Sequence, residues 1–242
     1  MNRYAKVLAS VSICLASLLG HSEACGAQQT PATAIDIALE PDATMVHHAE
    51  ATNARLRSVF PKGFPLDATH HPHISILQRY VRTADLDKVY AAASKALASH
   101  NVTNLKLKAY KYYYLTDQSL PGLGLSGIVV ETTPELIKLQ QDLIDAVAPY
   151  TVADGSAAAF VTTPADPEIN EPTIHYVAVY VPEHSGEHLE LHVTTGIAPR
   201  DYLDKMLAEP FQDFTFSPMG ASVFHLGNYG SAQAKLKDLK VK

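Results

Sequence analysis

Hydrophobic positions recur at helical spacing in four segments of the chain. The first spans Pro41 to Phe60, with Met45, Ala49, Leu56 and Val59 along one side. The second starts at Thr83, a residue suited to capping a helix N-terminus. It then sets Leu86, Val89, Tyr90, Ala93 and Leu97 on one face. The third opens on Thr133 and Pro134, a cap followed by proline in the first turn, and lines up Leu136, Leu139, Leu143, Ile144 and Val147. The fourth follows Pro199, carries Tyr202, Leu203, Met206 and Leu207, and stops at Pro210.

Between these helices the pattern predicts strands over Pro72–Val81, Leu105–Leu115, Leu123–Glu131, His188–Thr195 and two pieces within Phe214–Leu226. The alternation from Leu105 to Lys108 has the period of a half-buried strand. Pro172–Val181 fits either a short helix after Pro172 or a tyrosine-rich strand, and Gly155–Asn170 reads as a loop. Helices interspersed with antiparallel hairpins imply an α+β fold. A histidine-bearing strand followed by a helix and a further strand occurs twice, from Pro72 and from Leu189, which suggests two similar lobes around a central cleft.

The first 27 residues read as an address. Arg3 and Lys6 precede an apolar run from Val7 to Leu19, too short to span a bilayer comfortably and matching a secretory signal with cleavage near Ala24 or Ala27. Lipidation of Cys25 is the weaker alternative. Residues 28–41 then read as a flexible lead-in, and 42–242 as a single bilobal domain. The expected location is the periplasm or outside the cell, with no membrane contact after cleavage, as a monomer.

Composition narrows the chemistry. The 242 residues carry a net charge of -6, without the basic footprint of a duplex nucleic-acid binder, although a small nucleotide ligand remains open. Only two cysteines are present, so neither a disulfide scaffold nor a cysteine zinc site is available.

Histidine is abundant, and two of the 12 stand out. His73-Ile-Ser75 and His192-Val-Thr194 each place an imidazole and a hydroxyl two residues apart, on one face of a strand whose other face is apolar. Two imidazoles titrating near neutrality can deprotonate an attacking water and protonate a leaving oxygen without a metal. Ser75 and Thr194 would hold the non-bridging oxygens of a phosphoester as charge builds. Arg79, of the same parity as His73, is a candidate for further charge stabilisation.

These motifs, with the closing stretch from Phe224 to Gly230, resemble those of the 2H phosphoesterase superfamily, which includes 2'-5' RNA ligase-like proteins and cyclic nucleotide phosphodiesterases. The resemblance covers about Asp42 to Leu239. It implies a bilobal fold with the two motifs facing one another, His73 and His192 as the acid/base pair, and Ser75 and Thr194 as phosphate holders. It further implies a cofactor-free phosphodiesterase opening 2',3'-cyclic phosphates or related phosphodiesters of small nucleotides or oligonucleotides.

Two other readings stand beside it. His184, His188 and His192 at i, i+4, i+8, with His70, His71 and His73, suit an exported histidine-rich metal-binding protein. The other reading is an inactive nucleotide-binding protein on the same fold. The tyrosines at 110, 112, 113 and 114 either pack a sheet or stack a base, His225 reads as structural, and the lysine-rich tail from Lys235 as a solvated element.

Overall fold

The computed structural model describes residues 31–164 and 166–241. The signal-sequence expectation over residues 1–27 lies outside the described residues. Among the described residues, eight strands form two four-stranded antiparallel sheets. The first has the order β2-β1-β7-β8, built from β1 (Ala32–Pro41), β2 (Ile74–Arg82), β7 (Pro218–Leu226) and β8 (Ala232–Leu239). The second has the order β5-β4-β3-β6, built from β3 (Leu107–Leu115), β4 (Leu123–Val130), β5 (Leu191–Pro199) and β6 (Phe214–Phe216). With five helices, this is a mixed α+β fold among the described residues.

Residues 32–41 correct the expectation of a flexible lead-in. They form β1, a strand in the interior of its sheet, paired with β2 on one side and β7 on the other. Ile35, Ile37 and Leu39 alternate onto the core face, so the strand has the period-two pattern that stabilises a buried edge-free position. The tail is also more than a solvated element. Ala232–Leu239 is the outer strand β8, with Leu239 buried and Lys235 paired with Glu40 at 2.9 Å.

The helices follow their sequence signals closely. α1 (Ala43–Val59) starts where Asp42 accepts hydrogen bonds from the Thr44 and Met45 amides, at 3.0 and 3.3 Å. α2 (Leu86–Leu97) buries Val89, Ala93 and Leu97, but a 3-10 turn over Thr83–Asp85 precedes it. Thr83 spends its hydroxyl on Thr33 and caps nothing. α3 (Pro134–Val147) is capped by Thr133 as expected. α4 (Glu171–Glu183) settles the ambiguous segment as helix: Asn170 accepts from the Thr173 amide at 2.7 Å, and Pro172 sits in the first turn, where its missing N–H is no loss. α5 (Arg200–Leu207) buries Leu203 and Met206.

One continuous apolar core joins the two sheets. Ile35 and Ile37 of the first share it with Ile128 and Val193 of the second, and α2 and α3 cover it through Leu97 and Leu139. Strands β2 and β5, which carry the two histidine motifs, touch across this junction. Buried Asn53 of α1 ties the 60–73 loop to β5. Its amide donates to the Phe64 and Thr195 carbonyls at 3.0 and 2.9 Å, and its oxygen accepts from the Leu66 amide.

Among the described residues, no helix is long and apolar enough to cross a membrane.

Candidate active site

His73, Ser75, His192 and Thr194 line one cavity of about 240 Å³. Residues 119 positions apart in the chain therefore converge, each motif delivered by a strand of a different sheet. A second cavity, of about 440 Å³, adjoins the first and shares His73, Leu125, Thr194, Tyr229 and Gly230 with it. Its far wall is the 60–73 loop, where the Phe64 and His70 rings stack at 4.6 Å. The histidine–hydroxyl set thus sits between two spaces.

Both imidazoles are anchored alike. His73 Nδ1 donates to the His71 carbonyl at 2.6 Å, and His192 Nδ1 to the Glu190 carbonyl at 3.3 Å. A carbonyl only accepts, so each Nδ1 carries hydrogen and each Nε2 is left for the other partner. The i−2 carbonyl follows from extended backbone, which puts residues i−2 and i on the same side.

Arg79 does not join them. The register of β1 against β2 slips between Ile37 and Ala38: Leu77 faces Ile37 and Ser75 faces Ala38, so Ile76 is an extra residue. This bulge reverses the parity of everything after it. Gln78 takes the face of Ser75 and lines the cavity, while Arg79 turns to the opposite face and donates to Thr151 Oγ1 at 3.0 Å. Among the described residues, no lysine or arginine lines the smaller cavity. An imidazolium is the only cation its lining can offer a phosphate.

Sequence reasoning missed several residues here. Asp36, on the cavity face of β1, is fully buried and accepts from Ser75 Oγ at 2.5 Å, with His73 Nε2 3.5 Å from the same oxygen, Oδ2. Burial pushes its carboxyl up to about 6, against the opposing pull of His73 and the hydrogen bonds from Ser75 and Gln78. Its Oδ1 and the Oε1 of Gln78, its cross-strand neighbour, have no hydrogen-bond partner. Tyr176 and Tyr180 of α4 line the cavity, and burial holds both phenols neutral, Tyr176 at about 12 and Tyr180 well above the usual range. Tyr229 takes a left-handed backbone, φ 54°, on the wall of both cavities, a strained conformation of the kind that collects at functional sites.

His192 has a different setting. The Tyr113 ring lies 4.9 Å from it, and burial drops its proton affinity to about 4, opposed by the hydrogen bond to the Glu190 carbonyl and helped by the neighbouring imidazoles of His73 and His184. The ring is only partly shielded from solvent, so a route for water and protons persists. Tyr113 reaches this place because its cross-strand partner is Gly127. A Cβ there would stand 2.5 Å from Tyr113 Cε1 and 2.9 Å from the Val193 carbonyl. Gly127→Ala is therefore expected to displace the Tyr113 ring and lower stability by about 1–3 kcal/mol. A shift of the urea midpoint, with a changed His192 ring resonance, checks both effects, and a variant with neither would mean that the ring is not held by this contact.

The metal-type spacings do not assemble. His184 caps α4, His188 ends a 3-10 turn and His192 lies in β5, so the three do not share a helix face. Among the described residues, no group of three or more His, Cys, Asp or Glu side chains is placed to hold a metal ion. His225 Nε2 donates to the Ala159 carbonyl, 2.9 Å away, which ties β7 to a neighbouring loop.

No protein-family model matches the chain, and no curated protein matches it. Among solved structures, Usb1 of Kluyveromyces marxianus is similar to it at 8% identity and a TM-score of 0.37, over 80% of this chain and 93% of that one. At that distance the likeness says nothing about what this chain does, and the residues of the cavity carry the functional argument.

Proposed function

We propose that the chain is a two-histidine phosphodiesterase of the 2H type, in which two lobes each contribute one His-x-Ser/Thr strand to a shared cleft. The observation that carries this reading is the convergence of His73, Ser75, His192 and Thr194 on one cavity, with both imidazoles anchored through Nδ1. The reaction is hydrolysis of a 2',3'-cyclic phosphate or a related phosphodiester. One Nε2 takes a proton from water as its oxygen bonds to phosphorus. The other gives a proton to the ribose oxygen as its bond to phosphorus breaks. The product is a phosphomonoester with a free hydroxyl, and solvent resets the two imidazoles. Thr194 Oγ1 and the neutral phenol of Tyr176 supply hydrogen-bond donors to the developing negative charge. The adjoining cavity of about 440 Å³ favours substrates that continue past the phosphate, so oligonucleotides fit alongside cyclic mononucleotides.

The test is turnover of 2',3'-cyclic nucleotides and of short oligonucleotides ending in a cyclic phosphate, in the presence of EDTA. Turnover that survives EDTA is the expected result. Turnover lost with EDTA and restored by zinc would overturn the metal-independent mechanism, and no turnover of either substrate class would overturn the reading.

A further inference from the structure

The two motifs match in sequence and in Nδ1 anchoring, yet their neighbouring strands differ. Beside β2 runs β1, which carries Asp36. Beside β5 runs β4, which sets Gly127 opposite Thr194 and Val129 opposite His192. One imidazole therefore faces a buried carboxylate and the other faces an aromatic ring. Among the described residues, no carboxylate lies within ion-pair distance of His192.

We propose that Asp36 is a positioning residue that makes His73 the proton donor of the pair, by holding an imidazolium whose Nε2 faces Oδ2, and so leaves His192 as the proton acceptor. This assignment rests on the phosphodiesterase reading.

The argument starts from Nδ1. With that hydrogen given to the His71 carbonyl at 2.6 Å, Nε2 of a neutral His73 carries only a lone pair, and it lies 3.5 Å from Asp36 Oδ2, an ion-pair distance. Without a proton on Nε2, two electron-rich atoms lie side by side in a poorly solvated site. One proton on Nε2 removes the conflict and places opposite charges together in a poorly solvated site. Asp36 is meanwhile fixed by Ser75, whose single hydroxyl hydrogen it accepts at 2.5 Å. Other titratable groups face this pair without replacing it. Tyr176 and Tyr180 of α4 are neutral phenols, and His192 of β5 resists protonation. β7 presents the uncharged Phe224 ring, 6.1 Å from the His73 ring and directly across from Asp36. Because no arginine or lysine among the described residues lines this cavity, the imidazolium also serves as its cation for the phosphate.

The test is Asp36→Asn, nearly identical in size, in the full chain. The His73 and His192 ring resonances are titrated by NMR, assigned with His73→Gln and His192→Gln, and the pH dependence of kcat and KM is measured alongside. In wild type His73 is expected to keep its proton to higher pH than His192 does. In Asp36→Asn the His73 titration should drop by about one pH unit or more, a tenfold or greater loss of proton affinity. The alkaline limb of kcat should move down with it, and activity should recover on acidification. Ser75→Ala, which keeps the carboxylate but removes its hydrogen bond, should lower kcat and move the limb less than Asp36→Asn does. An unmoved His73 titration in Asp36→Asn would overturn the charge pairing, and a moved titration with an unmoved limb would overturn His73 as the donor. Loss of activity uniform across pH would mark Asp36 as structural. Absence of turnover in wild type with the titration shift intact would defeat the phosphodiesterase reading and leave the Asp36–His73 pair standing.

Discussion

His73→Ala and His192→Ala are each expected to slow turnover by about 10²–10⁴-fold, the usual worth of a positioned acid or base. The two losses should differ in kind. A general acid matters in proportion to how poor the leaving group is. A ribose oxygen leaves badly without a proton, whereas p-nitrophenolate leaves well without one. With a p-nitrophenyl phosphodiester, the His73→Ala defect should therefore shrink to within about tenfold of wild type, while the His192→Ala defect persists, because water still needs a base. The double variant should be little worse than the poorer single variant, since the groups act on one step. Thr194→Ala removes a hydrogen bond to a charged group but no proton transfer, and should cost about 10–100-fold. Single-turnover rates on both substrate types decide the matter. Equal defects on both leaving groups in both variants would refute the division of labour. Wild-type rates in either variant would remove that histidine from the chemistry.

How far the sequence could be read depended on whether its signals were local. The capping residues Thr133 and Asp42 act within one turn of their own helices, so α1 and α3 began where spacing placed them. The His-x-Ser/Thr pattern is local as well, and strand geometry is enough to put His73 with Ser75 and His192 with Thr194. What failed was non-local. Parity counted from His73 puts Arg79 on the same face, and a single extra residue at Ile76 inverts the count. No composition rule announces that bulge, because it is set by how β1 lies against β2. Ile35, Ile37 and Leu39 carry a strand pattern in plain view, yet a stretch of ten residues ahead of the first helix also fits a lead-in until its partners β2 and β7 are known. Asp36 belongs to no motif. It became visible only when pairing brought it beside Ser75 and His73, from 39 and 37 residues away. The segment from Pro172 to Val181 was ambiguous because its tyrosines suit a sheet as well as a helix. The Asn170 cap and Pro172 decide for α4, which in turn puts Tyr176 and Tyr180 over the cavity.

Two groups of this site, buried Asp36 and half-buried His192, should tilt stability with pH in opposite directions. Asp36 titrates near 6 in the folded chain against 3.8 when exposed, so between those values the native state holds more protons than the unfolded state. Stability from this group therefore falls as pH rises through about 4 to 6, and the full penalty is present above 6. The shift corresponds to about 1–3 kcal/mol. His192 titrates near 4 against 6.5, so the unfolded state holds more protons across that window and stability falls as pH drops through it. Its effect is similar in origin and reduced by the solvent that reaches the ring. In wild type the slopes oppose and partly cancel between about 4 and 6. Single variants should uncouple them. Asp36→Asn is expected to melt higher than wild type at pH 7–8, by about 1–3 kcal/mol of stability, with the gain vanishing below about pH 4. His192→Gln should match wild type above about pH 6.5 and gain on it as pH falls toward 4. The remaining titrating groups are common to the three proteins, so the difference curve of His192→Gln reports that site, and that of Asp36→Asn reports Asp36 together with the His73 titration linked to it. Asp36→Asn melting below wild type at pH 8 would mean that the carboxylate stabilises the fold, and that its pairing with His73 and Ser75 outweighs the desolvation of a buried charge. Asp36→Asn melting above wild type at pH 8 with lower turnover would show a site whose chemistry is maintained at the expense of stability.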